Sequence, residues 1–250
     1  MDFDTQFFVS IFPKLMLKIP YTLCLGCVAF AIAFVLGLFL EICFTSRFKI
    51  LRTLAGLYIS YFRSTPYITQ LFIFYFGLPQ IFPVMRNLVG GTVLVITIAM
   101  NSAAFISEVI RGGLLAVDKG QREAALSIGL SPVSAYKEVI LPQAFVAAFP
   151  SLGNSFISMI KNTAIGFTIG VVDILAQAKI LAASSLNFFE AYISVGVVYW
   201  VFRRQTDPQG VVDHRVRRRR RGENHPRIRW RARSKPRFRN GSPTWTPFST

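Results

Sequence analysis

Residues 19–40, IPYTLCLGCVAFAIAFVLGLFL, run without one acidic or basic side chain. A helix needs roughly 20 mainly apolar residues to cross about 30 Å of hydrocarbon, so this stretch reads as a membrane span. Three further runs share the property, at residues 64–85, 87–107 and 139–160. A fifth, 186–202, is shorter and is interrupted by Glu190. Across the 250 residues, 52% are apolar or aromatic and 16% charged, which excludes an ordinary soluble domain. The predicted fold is an all-α polytopic bundle of about five spans over residues 19–202, with a short extracytoplasmic segment at 1–18.

The net charge of +16 is unevenly spread, because 15 of the 28 Lys and Arg residues lie beyond Val201. Basic residues near span ends favour the cytoplasmic side. Arg47, Lys49 and Arg52 follow the first span, and Arg111, Lys119, Arg122 and Lys137 follow the third. Lys14, Lys18, Arg86 and Lys179 fall on the other face. This sorting places the N-terminus outside and the C-terminus in the cytoplasm. The tail at 203–250 is Arg-rich, lacks apolar periodicity and contains the run Arg217 to Arg221. Its abrupt composition reads as translation in a shifted frame, with contact to anionic lipid and nucleic-acid binding as the alternatives; specific nucleic-acid recognition is not expected.

Cys24, Cys27 and Cys43 all sit in or beside the first span and do not suggest a disulfide framework; Cys24 and Cys27 read as packing residues, since no histidine or acid stands near them to complete a metal or redox site. The only histidines, His214 and His225, are in the tail, so the membrane body offers no His-acid-nucleophile set. No Gly-x-x-x-x-Gly-Lys-Ser/Thr loop is present to cradle nucleotide phosphates.

Between the third and fourth spans, residues 111–142 are more polar and carry two successive helix signatures. Asp118 with Gln121 fits a capping box for a first helix through Ala124 and Ala125, and Gly129 stands where a left-handed cap ends it. Ser131 and Pro132 offer an N-cap and first-turn residue for a second helix, expected to run to Ile140 and stop at Pro142. The result is a helix-turn-helix on the inner face.

The spacing Glu123-Ala124-Ala125, Gly129, Val139, Leu141 and Pro142 resembles the EAA loop of binding-protein-dependent transporter permeases, with Val139 where isoleucine is usual. Elsewhere the chain resembles the subfamily that imports polar amino acids. Arg63-Ser64-Thr65-Pro66, Gln70 and Phe76-Gly77-Leu78-Pro79 come first, followed by Glu108, Arg111-Gly112-Gly113, Gly120-Gln121, Leu141-Pro142-Gln143, Leu152-Gly153-Asn154 and Lys161-Asn162-Thr163. Ser64, where glycine is common, and Asn162 are small departures. The likeness covers about residues 19–200.

This resemblance implies an ABC importer permease that binds no cofactor of its own. It implies an ABC ATPase subunit holding ATP and Mg at the loop, an extracytoplasmic substrate-binding protein, a second permease copy or a related one, an amino-acid substrate and surrounding membrane lipid. The rival classes are an intramembrane enzyme, which lacks a convergent acid-base or metal pair, and a passive channel, which has no use for a docking loop.

Lys161 follows an uncharged run and is costly to bury in lipid. Either it snorkels to an interface or pairs with an acid, or Lys161, Asn162 and Thr163 line the permeation route. Arg63, Thr65 and Pro66 pose the same choice between the start of a span and part of the route. Glu108 and Arg111 are spaced as a local ion pair, and Asn101 either bonds a neighbouring helix or touches substrate.

Overall fold

The computed structural model describes residues 3–206, and the tail expectation for 203–250 lies almost wholly outside them. Among the described residues every regular element is helical. Helix α1 (Thr5–Met16) leads into α2 (Ile19–Thr45), α3 (Lys49–Ser64), α4 (Tyr67–Phe72) and α5 (Leu78–Ile81). Then come α6 (Gly90–Leu115), α7 (Lys119–Ser127), α8 (Pro132–Ser134), α9 (Leu141–Asn162), α10 (Ile174–Ser185) and α11 (Phe188–Thr206).

Three helices are long and apolar enough to cross a membrane: α2, α6 and a continuous helical run, Pro132–Ile169, that contains α8 and α9. The run at 64–85 is not one straight helix. It breaks at Thr65–Pro66 and again at Phe82, leaving a helical stretch at 67–81 of about 22 Å at 1.5 Å per residue. Helix α11 carries Glu190 in its first turn and Arg203 and Arg204 in its last.

The core shows why these helices associate. Lipid tails are as apolar as leucine, so helices in a bilayer are held by close packing and polar contacts rather than by hydrophobic force between them. Helix α2 accordingly buries small residues, Gly26, Ala29, Ala33 and Gly37, and exposes a stripe of large ones, Val28, Ile32, Val35, Phe39 and Ile42. It packs along α6, which in turn packs along α9. A Cβ added at Gly37 would lie 2.9 Å from Ile106 Cγ2 and 3.1 Å from the Ala103 carbonyl. The main core forms around Ala29, Ala33, Leu94, Ile98, Ala99 and Ile106. A second cluster joins α1, α10 and α11 through Ile11, Leu15, Ala178, Ala182 and Ala191.

Two prolines, Pro79 and Pro142, are carried through within helical stretches, although Pro142 read as a helix end. Pro79 follows a π-helical turn, Ile73–Gly77, in which the Leu78 N–H donates to the Ile73 carbonyl. Pro142 follows a second, Ala135–Ile140, in which Leu141 N–H donates to the Tyr136 carbonyl. Proline has no N–H and its ring crowds the carbonyl four residues back, and the wider turn relieves both conflicts. The second loop helix therefore does not end at Pro142, as its sequence suggested, but continues into α9.

Adjacent glycines test this packing. A Cβ on Gly113 would lie 2.7 Å from the Ala144 carbonyl and 2.8 Å from Ala148 Cβ, whereas one on Gly112 would meet nothing within 4 Å. Gly113→Ala is expected to cost about 1–3 kcal/mol and lower the thermal midpoint of the purified protein. Gly112→Ala should hold or raise it, since alanine favours helix by up to about 1 kcal/mol. Equal midpoints would show that α6 and α9 do not approach this closely.

Candidate functional site

The loop between α6 and α9 is built from local bonds. Asp118 caps α7 by accepting from the Gly120 N–H at 2.7 Å. Gln121 is not the reciprocal partner of a capping box; its Oε1 accepts from Gln143 Nε2 at 3.2 Å and so links α7 to α9. Gly129 adopts φ +88, the Gly129 N–H donates to Leu126 O, and the Leu130 N–H reaches back to Ala125 O at 3.2 Å. That pair of bonds is a Schellman cap, and it needs the left-handed residue. Ser131 Oγ accepts from the Ser134 N–H at 3.1 Å and starts the second limb.

Of the motif residues, Glu123 and Ala124 are exposed, while Ala125 is the buried residue of α7, which packs on the π-helical turn. Val139 is half-buried, and Leu141 and Pro142 are exposed. Only one of the two alanines is thus open to a partner. Sequence reading passed over Ile128 and Val133, which stand 80% and 76% exposed on the same loop. The signal was present as apolar residues inside a polar segment.

Above the loop lies a charge network that spacing only partly foretold. Arg111 Nη2 donates to Glu108 Oε1 at 2.8 Å, the local pair expected from sequence. The Arg111 Nε donates to Glu41 Oε2 at 3.2 Å, and Arg63 Nη1 lies 3.0 Å from Glu108 Oε1. Thr45 Oγ1 donates to the Glu41 backbone carbonyl at 2.8 Å and stands 3.1 Å from Glu41 Oε1, and the Arg111 guanidinium stands 4.1 Å over the Phe44 ring. Two guanidinium groups and two carboxylates therefore tie α2, α3 and α6 together. Buried Glu41, one residue beyond the first apolar run, was the member missed.

The Thr65–Pro66 break is equally organised. Proline cannot donate to Phe62 O, and two side chains take its place: Asn101 Nδ2 at 3.0 Å and Gln70 Nε2 at 3.0 Å. Gln70 Nε2 also meets Thr65 Oγ1 at 2.6 Å, and Gln70 Oε1 accepts from Asn101. Asn101 is thereby committed to a neighbouring helix. Arg63 is partly exposed and turned to Glu108, so Arg63, Thr65 and Pro66 form a structural joint in this state.

On α9 the three candidate route residues do not share one surface. Lys161 is exposed and Asn162 half-buried, but Thr163 is fully buried, donating to Ile160 O at 2.8 Å and facing Asp173 Oδ2 at 3.4 Å. Among the described residues Lys161 has no ion-pair partner. Ser151, Asn154, Ser158 and Lys161 follow one another at helical spacing along the accessible side of α9.

Residues 33–203 match the family described as "Binding-protein-dependent transport system inner membrane component". The chain belongs to this family. It is a membrane permease subunit, and ATP hydrolysis in such a system is the work of a separate subunit. A probable amino-acid permease protein, YxeN of Bacillus subtilis, is 41% identical over 198 residues, covering 79% of this chain and 88% of its own length. The L-cystine transport system permease protein TcyL of the same organism is 40% identical over 206 residues, with 79% and 84% covered. A crystal structure of an amino acid ABC transporter with histidines has a chain 35% identical to this one at TM-score 0.78, covering 86% of this chain and 99% of its own. The all-α permease fold is therefore that of its relatives.

The shared position of Glu108 predicts unequal costs within the network. Glu108→Gln leaves Arg63 without its carboxylate and Arg111 with Glu41 alone, and loss of one partner from a partly buried set costs up to about 3–5 kcal/mol. Arg63, which is partly exposed, should cost under about 1 kcal/mol as Arg63→Gln. Thermal midpoints of the two single variants and the double variant, whose loss should be less than additive, check this ordering.

Proposed function

We propose that this permease subunit imports a polar amino acid across the bacterial cytoplasmic membrane, with its N-terminus outside and its C-terminus in the cytoplasm. It pairs with a second copy or a related permease to enclose the route. An extracytoplasmic binding protein delivers solute, and ABC ATPase subunits carrying ATP and Mg engage the loop at 111–142. The names of the amino-acid, cystine and arginine permeases to which the chain is similar support the substrate class.

The observation that carries the reading is the capped hairpin. Glu123, Ala124, Ile128 and Val133 project from a short helix pair that is held at both ends by its own hydrogen bonds. A surface of one acid, one small residue and exposed aliphatics at a tight turn suits insertion into a groove on a partner. Because α8, its π-helical turn and α9 form one helical run, Pro132–Ile169, displacement of the hairpin is delivered directly to Lys161. ATP binding and hydrolysis in the partner then bias two states of the bundle by differential contact with this hairpin.

Along α9, Ser155 Oγ donates to Ser151 O and Ser158 Oγ to Asn154 O, which leaves the serine lone pairs, the Asn154 amide and the Lys161 ammonium facing outward. A polar stripe on a membrane helix belongs against water or another helix, not lipid. An ammonium on that stripe suits a solute carboxylate. Thr163 lies behind this stripe, its hydroxyl donating to Ile160 O, with Asp173 Oδ2 3.4 Å away.

Two substitutions separate docking from permeation. At Gly129 a Cβ would meet nothing within 4 Å, so the penalty for a side chain is the left-handed backbone itself, on the order of 1 kcal/mol. An acid there also opposes the helix dipole. Gly129→Asp is expected to keep normal membrane abundance while losing ATPase retention on purification and substrate-stimulated ATP hydrolysis. Full transport with normal retention would show the loop to be a plain connector. Lys161→Ala should lower transport with abundance and ATPase retention unchanged; parallel loss of abundance would mark Lys161 as structural.

A further inference from the structure

The turn between α2 and α3 carries Arg47, Lys49 and Arg52, all exposed and none in an ion pair among the described residues. Helix α3 buries Ala55, Ile59 and Phe62 on one side and exposes Ile50, Leu54, Leu57 and Tyr61 on another, at spacings of four, three and four. The basic start suits lipid headgroups and the exposed apolar stripe suits acyl chains, while the other side of α3 packs on α6 through Tyr58 and Phe62.

Beside this helix a cleft of about 920 Å³ opens between α2, α6 and α9. Its walls are apolar, with Phe34, Leu38 and Ile42 from α2, Ile110 from α6 and Phe145 from α9. Its charged lining groups are Glu41, Arg52 and Arg111, with Thr45 and Tyr136 beside them, and Glu41, Thr45 and Arg111 meet one another at the end of α2. Glu41 is already held by Arg111 and Thr45, so the uncompensated charge of the lining is the guanidinium of Arg52. From Phe34 to Thr45 the wall of α2 is about 16 Å long at 1.5 Å per residue. That is close to half of the roughly 30 Å hydrocarbon core, the depth of one leaflet.

We propose that the cleft is a binding site for one anionic phospholipid of the leaflet at which α2 ends. Arg52 takes the phosphate, Arg47 and Lys49 stand around the headgroup, and the acyl chains lie along Phe34, Leu38, Ile42 and Phe145. Charge complementarity at one end and leaflet depth along the walls select this occupant over a neutral lipid or a helix. On the orientation proposed above, the leaflet is the cytoplasmic one, where the site borders both the charge network and the docking hairpin.

The test uses the full-length purified chain in native mass spectrometry, titrated with phosphatidylglycerol and phosphatidylcholine of matched acyl chains. Phosphatidylglycerol should be retained preferentially, and Arg52→Gln should cut that preference about fivefold, the loss expected for one basic residue at a headgroup. Arg52→Lys should keep most of it, which separates charge from misfolding. Ile42→Trp, which fills the cleft, should reduce retention of both lipids, and phosphatidylglycerol with a photoreactive acyl chain should label α2, α6 and α9. Equal retention of the two lipids, or an unchanged ratio in Arg52→Gln, overturns the proposal. So would disulfide linkage between copies bearing Ile42→Cys and Phe145→Cys, in a chain with Cys24, Cys27 and Cys43 replaced by serine, since a second copy would then cover the cleft. Lipid ratio is read without an ATPase present, so its failure is distinct from failure of hairpin docking.

Discussion

The close approach of α2, α6 and α9 is the constraint on which the rest of the molecule depends. In hydrocarbon, large apolar side chains gain nothing by turning inward, so the gain must come from dispersion contacts between helices that nearly touch. Gly26, Gly37 and Gly113 mark the points of nearest approach, and any side chain there would enter a neighbouring residue. The pattern on α2 is therefore the reverse of a soluble amphipathic helix, with small residues inside and Val28, Ile32, Val35 and Phe39 outside. Fixing α6 against α9 in this way also fixes both ends of the hairpin that joins them.

Helices held so closely must still satisfy every backbone group, since no water is available in the bilayer core. The protein meets this at Pro66, Pro79 and Pro142 by two different means. At Pro66 the chain breaks, and the orphaned Phe62 carbonyl is satisfied by Asn101 and Gln70. At Pro79 and Pro142 the helix widens into a π turn and continues. The first device produces a rigid corner beneath α3. The second gives the hairpin an uninterrupted helical link to the polar face of α9.

Charge is treated with the same economy. Glu41, Glu108, Arg63 and Arg111 lie near the ends of α2, α3 and α6, and each carboxylate accepts from at least one guanidinium. Isolated, any of them would be costly to desolvate; as a set they are neutral and they tie three helices at one level. Lys161 is the contrast, an exposed ammonium without a described acid, on the helix face that also carries Ser158 and Asn154.

Hydropathy alone determined that the chain spans a membrane, because an uncharged run of about 20 residues has few other uses. Local chemistry determined the hairpin as well: Gly129 and Ser131 act through bonds to residues at most five positions away, and such bonds leave a trace in spacing. What spacing could not decide was everything requiring a second segment. Asp118 and Gln121 satisfied a local rule, yet Gln121 turned to Gln143, a partner 22 residues on. Glu108 and Arg111 were legible as neighbours, while Glu41, 70 residues from Arg111, was not. Thr163 sits beside Lys161 in sequence but points the other way, since a helix turns about 100° per residue and only the packing of its neighbours says which face is inside. Pro142 read as an end for the same reason. The rule against proline in a helix is local, and the π turn that relieves it became visible only once α8 and α9 were seen to lie in one helical run.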